Sequence, residues 1–257
     1  MRAWGRDGLL PGSARPGSAG GKRRASENCG MLRELTSTVN RFRTRRGQRL
    51  RRQIEALADH LGRDVVVLDV GGRPDYWANV GLARIARIEV LNYSETELER
   101  ELESGEATGI FVRKVGDARN LSDYADGSVD LVHSNSVIEH VGGWRDMRAM
   151  ADEMMRVGRA GWMQTPAWEF PVEPHFRAPF LHWFGEPLRA RMLSLSVEKR
   201  HRGMDRHKRR RRVEMIHLLS KGDVRALFPG KAIEAERVVL WPKSYVVRWM
   251  PDGLPLA

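Results

Sequence analysis

Four aliphatic residues, Leu50, Ile54, Leu57 and Leu61, recur at spacings of four, three and four, which draws one apolar stripe along a helix over about residues 44–61. Gly62 is a natural stop for it. Val65–Val70 then reads as a short buried strand, closed by a turn at Gly71-Gly72 and Pro74. From there strand-like and helix-like stretches alternate: a strand at 87–91, a helix at 94–103 opened by Ser94 with Glu97 three residues on, and a strand at 110–115. A strand at 129–134 follows, then a helix at 144–157 with Trp144, Met147, Met150, Met154 and Val157 on one side, and a strand at 160–165 stopped by Pro166. Alternation of this kind implies parallel βαβ units.

The last quarter breaks the alternation. Ser220 and Asp223 open a short helix that runs to Phe228, and two strand-like runs, 233–241 and 244–250, follow with only Pro242-Lys243 between them. Strands joined so closely pair antiparallel. The expected fold is α/β: a doubly wound, mostly parallel seven-stranded sheet with a C-terminal antiparallel hairpin, in a three-layer α/β/α sandwich.

Composition refines this outline. Residues 1–30 are rich in Gly, Pro, Ser, Ala and Arg and have little to bury, so they are expected to be a disordered extension before a single domain over 31–257, with Met31 as an alternative start. Cys29 is the one cysteine, which excludes an internal disulfide and fits a reducing compartment. No apolar run is long enough to span a membrane, no signal-peptide core is present, and Arg23-Arg24 is not followed by an apolar stretch, so a cytoplasmic protein with no membrane partner is expected.

The net charge is +11. It is carried in blocks: +4 over residues 1–30, +7 over 31–52 and +7 over 198–213, on a remainder of −7. Such blocks read more readily as solvated arms or faces than as a phosphate-binding surface. The 198–213 block, with Lys208-Arg209-Arg210-Arg211-Arg212, is expected to be a solvated basic insertion or loop; no aromatic interleaves with it, as a nucleic-acid stacking platform requires.

The candidate chemistry lies where strands end. Ligands of doubly wound folds bind at the carboxyl ends of the strands. The first strand ends in Asp69-Val70-Gly71-Gly72, which lets backbone approach a ligand but does not match Gly-x-Gly-x-x-Gly, so a standard dinucleotide site is disfavoured. The second ends at Asn92, which can grip a ribose hydroxyl or serve as a turn residue. The third leads to Gly116-Asp117-Ala118, where Asp117 can accept from an adenine amino group or cap a turn. The fourth delivers Ser134-Asn135-Ser136 to the same edge.

Taken in order, Leu68–Gly72, Gly116–Ala118, Ser128–Val132 and Ser136-Val137-Ile138-Glu139-His140-Val141 resemble class I S-adenosylmethionine-dependent methyltransferases, and most closely the type 11-like domain, over about Leu50–Met250. The chain departs from that pattern in having Arg73-Pro74-Asp75 where a later glycine is usual and Asn92 where an acid is usual. The resemblance implies S-adenosyl-L-methionine as cofactor. It implies Gly71 and Gly72 beside the methionine part with Asp69 at its ammonium group, Asn92 at the ribose, Asp117 and Ala118 at the adenine, and Ser134 and Asn135 on the methyl-donor side.

The segment Gln164–Trp183 follows the fifth strand and combines prolines, aromatics, acids and two histidines, a composition suited to the wall of a small-molecule acceptor site. Glu173 and His175 are candidate general bases, or pins of that loop. His133, His140, His175 and His182 match no standard zinc spacing, so no metal is expected, and Glu139-His140 is expected to shape the cofactor loop. The reading is a methyltransferase acting on a small molecule. The alternatives are an RNA or protein methyltransferase docking through the basic blocks, an inactive binding protein of the same fold, and a nicotinamide dehydrogenase, which the glycine pattern and Asn92 disfavour.

Overall fold

The computed structural model describes residues 20–94, 109–195 and 203–256, with only the backbone described over residues 20–40 and at 195. Residues 1–42 and 43–257 form separate compact units. The first contributes helical backbone: α1 spans Gly20–Leu61, so within the stretch expected to be disordered the backbone from Gly20 onward is helical. No proline follows Pro16 before Pro74, and Lys, Arg, Ala and Glu between them favour helix. The helix expected at 94–103 lies outside the described residues, apart from Ser94.

The second unit is built on a seven-stranded sheet. Its strands are β1 (Val65–Val70), β2 (Ile85–Asn92), β3 (Phe111–Val115), β4 (Val129–Asn135), β5 (Gly158–Pro166), β8 (Ala232–Val238) and β9 (Trp241–Trp249). They lie in the order β3-β2-β1-β4-β5-β9-β8. The first five pair parallel, and β9 runs antiparallel to both β5 and β8. The order reverses beside β1, between β2 and β4, which makes the carboxyl ends of β1 and β4 the switch point of the sheet.

Period-two alternation buries β1 on both faces. Val65 and Val67 join a core with Leu50, Ile54, Leu57 and Trp77 under α1. Leu68 and Val70 join another with Met147, Met150 and Met154 of α2 (Trp144–Val157) and with Val224 and Leu227. A sheet with a core on each face is the expected three-layer sandwich.

The closing hairpin corrects the sequence reading in one place. The link is Val239-Leu240, not Pro242-Lys243: Val239 has a φ of 53° and Pro242 lies inside β9, opposite Arg237. The register shifts between Glu236 and Arg237, a bulge that accommodates a proline without an N–H to give.

Between β5 and β8 the chain makes a two-stranded ribbon, β6 (Val172–Glu173) with β7 (Ala178–Pro179), and then α3 (Glu186–Met192) and α4 (Arg206–Glu214) before α5 (Lys221–Leu227). Phe176, Leu181, Leu193, Val213 and Ile216 form a small core of their own here. The basic run expected in a loop is therefore the helix α4. Asp205 caps it by accepting from the Lys208 N–H at 2.8 Å, arginine is a good helix former, and buried Val213 anchors its end. None of the described helices is long and apolar enough to cross a membrane.

Candidate functional site

The turn after β1 admits no side chain. Gly71 has a φ of 67°, and a Cβ on it would stand 2.6 Å from Val137 Cγ2. A Cβ on Gly72 would fall on the Asp69 carboxylate. The Gly71 N–H donates to the Leu91 carbonyl at 2.7 Å, and Asn92 Nδ2 donates to the Gly72 carbonyl at 3.1 Å. Asn92 thus sits where expected, at the end of β2, and fastens the turn.

Asp69 is enclosed. Its Oδ2 accepts from Trp77 Nε1 at 2.7 Å and its Oδ1 from His133 Nδ1 at 2.6 Å, with all three residues buried. The carboxylate expected at a ligand's ammonium group is engaged inside the protein. Around it, the Tyr76 hydroxyl and His133 Nε2 are buried without a hydrogen-bond partner among the described residues. The Tyr76 and His133 rings lie 4.8 Å apart, and burial raises the Tyr76 pKa.

Ser134 and Asn135 also have partners. Ser134 Oγ donates to the Val70 carbonyl at 3.0 Å and ties β4 to β1. Asn135 Oδ1 accepts from Arg46 Nη1 at 2.7 Å. Arg46, on α1, is itself buried and reaches three strands: Nη1 also donates to Gln164 Oε1 at 2.9 Å, while Nε and Nη2 grip both carboxylate oxygens of Glu236. Ser244 adds a hydroxyl to Glu236, and Ser136 one to Gln164.

Beyond β3, Asp117 is clasped by Arg119, whose hydrogen bonds hold the carboxyl below the usual range. Its side chain stays about a third exposed, and Ala118 packs against the core beside it. The nominated cofactor residues therefore do gather along one edge, but Asp69, Ser134 and Asn135 are committed to holding that edge together.

A second cluster lies a few residues downstream. Ile138–His140 is a short 3-10 turn, so Val137, which packs on Gly71, stands two residues before Glu139. Glu139 is fully buried. Its Oε2 accepts from Thr165 Oγ1 at 3.0 Å, and its Oε1 has no hydrogen-bond partner among the described residues. His175, carried on the loop between β6 and β7, faces that oxygen with Nε2 at 4.0 Å. The other side of the ring is fixed: His175 Nδ1 lies 2.7 Å from Glu173 Oε1, and Glu173 Oε2 accepts from the Phe176 N–H.

The His140 ring stands edge-on to the His175 ring, centroids 4.8 Å apart. Burial pushes the Glu139 carboxyl up to about 7. His140 keeps part of its surface in solvent, yet desolvation of its ring, and then the His175 ring beside it, push it down to about 4. Glu173 and His175 are thus brought together as nominated, and Glu139 and His140, assigned in sequence to shaping a loop, join them. Nothing local in the sequence links Glu139 to a histidine 36 positions away; only the fold does.

Residues 68–162 match a family model described as a methyltransferase domain. An uncharacterized methyltransferase of Mycolicibacterium vanbaalenii is 38% identical over 104 residues, covering 38% of this chain and 36% of that protein. Another, of a Mycobacterium species, is 40% identical over 97 residues, covering 37% and 35%. The match thus spans about a third of the length of these curated relatives. Among solved structures, an O-methyltransferase family protein of Burkholderia thailandensis is 15% identical, covering 78% of this chain and 56% of that one, with a TM-score of 0.46. The sequence match falls on the strands that meet at the switch point, and over residues 68–162 this chain is similar to a methyltransferase domain.

Proposed function

We propose that the protein is an S-adenosylmethionine-dependent methyltransferase whose acceptor is a small molecule. The observation that carries this reading is the side-chain-free Gly71-Gly72 turn, fastened by Asn92 and Val137 at the switch point, inside the segment that matches the methyltransferase family. The residues present fit the cofactor. Bare backbone at the turn allows close approach, Asn92 and partly exposed Asp117 offer polar groups at the end of β2 and beyond β3, and the Tyr76 hydroxyl and His133 Nε2, without hydrogen-bond partners among the described residues, are available to a polar ligand. When bound, the cofactor supplies an electrophilic methyl group on a sulfonium.

The chain's own contribution is placement and proton handling. Positioning accounts for much of the rate of such a transfer. Where the acceptor must lose a proton, His175 is the candidate base: Glu173 takes the Nδ1–H and leaves Nε2 to accept. The ribbon and the small core around Phe176 and Leu181 hold that ring near the carboxyl edge. A small acceptor is favoured over RNA because α4 ties Arg210 to Glu186 and Glu214 and Lys208 to Asp205, which offsets part of its positive charge.

Calorimetric titration with S-adenosylmethionine and S-adenosylhomocysteine, with NAD as control, tests the reading. Micromolar binding of the first two and none of NAD is expected; binding of neither overturns the cofactor assignment.

A further inference from the structure

We infer that Glu139, His140 and His175 form a binding site for one divalent first-row transition-metal ion. Each residue offers one donor atom, and those atoms all lie within 4.8 Å of one another. Donors bound to one ion at about 2.0–2.2 Å sit about 3.3–3.6 Å apart in a tetrahedral arrangement, so side-chain shifts of about an ångström close the site.

The unsatisfied oxygen is the strongest sign. A fully buried carboxylate oxygen with no hydrogen-bond partner is costly, and among the described residues Glu139 Oε1 has none. A cation between it and His175 Nε2 would satisfy both.

The surroundings have the form of a metal's outer shell. Ligating histidines normally give their other ring nitrogen to a carboxylate or a backbone carbonyl, which fixes tautomer and orientation. His175 gives Nδ1 to Glu173, His140 bonds to the backbone of Met215, and the second oxygen of Glu139 is held by Thr165. Backbone bonds hold the frame: the Glu139 carbonyl accepts from the His217 N–H, and the Phe176 N–H anchors Glu173. These bonds hold the three donor-bearing side chains within reach of one another before any ion arrives.

Two imidazoles and one carboxylate suit zinc, cobalt, manganese or iron(II) better than magnesium or calcium, which prefer oxygen alone. Three protein donors also leave positions open for water or a ligand oxygen. The sequence conceals the site because two of its ligands are adjacent and the third arrives from the ribbon, which fits no standard zinc spacing.

The inference does not require the methyl-transfer reading. The test is to strip the tag-free full chain with chelator, load it with Zn2+ or Co2+, remove free ion, and measure metal by mass spectrometry and the visible spectrum of the cobalt form. One ion per chain is expected, with cobalt bands typical of nitrogen and oxygen ligation. Glu139→Gln and His175→Ala should weaken binding by more than the ~10–100-fold that loosening an outer partner costs, and Glu173→Gln by about that amount. Circular dichroism confirms that each variant is folded, and the near-isosteric Glu139→Gln keeps the test usable if His175→Ala does not fold. Substoichiometric metal after loading, or affinity unchanged in folded Glu139→Gln, overturns the site. Titrating S-adenosylmethionine into stripped and loaded protein separates the two readings, since loss of one binding event leaves the other measurable.

Discussion

The two polar clusters at the carboxyl edge of the sheet are built from the same residue types and end up in opposite states. Around Asp69 the carboxylate is fully engaged: Trp77 and His133 take both of its oxygens, while Asn92 fastens the glycine turn and Ser134 ties β4 to β1. Around Glu139 the carboxylate is just as buried, yet one oxygen has no hydrogen-bond partner among the described residues and two histidine rings meet edge to face beside it. A carboxylate paired at both oxygens holds a shape. An unsatisfied one, in which burial makes protons and cations bind strongly, is where chemistry is expected.

The largest effect should come from breaking the first cluster. Asp69→Ala leaves two buried donors unpaired and is expected to cost about 3–5 kcal/mol. That is a drop of roughly 10 °C in melting midpoint for a domain of this size. A midpoint within a degree or two of the parent would mean that the Asp69 network does not hold the edge.

The second cluster should respond through pH, measured on chelator-treated protein. Folding raises the Glu139 carboxyl from an ordinary 4.5 to about 7, so the fold favours the protonated form. Its favourable contribution is complete below pH 4.5 and is lost as pH rises toward 7. Glutamine cannot ionise, so Glu139→Gln should gain on the parent across that window by about 3 kcal/mol. Parallel stability–pH curves for the two proteins would place Glu139 in the satisfied class with Asp69.

The mildest change lies between the clusters. Asn92→Ala removes one hydrogen bond from the glycine turn, worth about 1 kcal/mol of stability. If the turn receives the cofactor, the same variant should bind S-adenosylmethionine more weakly while remaining folded at ordinary temperature.

The framework of the sheet was readable in advance because β1, β4 and β5 are buried on both faces and leave little choice of residue, and because the α2 stripe of Met147, Met150 and Met154 has a single period. What stayed hidden depended on distant partners. Pro242 looked like the hairpin turn because the bulge that admits it is set by the opposing strand. The run Lys208–Arg212 hid α4, since its only apolar anchor is Val213. Arg46 was read with its basic block, although it stands four residues before Leu50 on the same buried stripe. At the site, Asp69 and Asn135, nominated for the ligand, hydrogen-bond to other side chains of the protein, while Glu139, assigned to structure, has one oxygen with no hydrogen-bond partner among the described residues.

Arg46 has a consequence for how this domain can be divided. The stretch that matches the methyltransferase-domain model, residues 68–162, excludes Arg46, Gln164 and Glu236, which meet in one buried network with Asn135. It also excludes β8 and β9, which close the sheet against β5. The recognisable module is therefore smaller than the cooperative unit. Excised by itself it would open a buried arginine's socket to water and strand an edge of β5, so the hereditary signature and the folding unit of this protein have different boundaries.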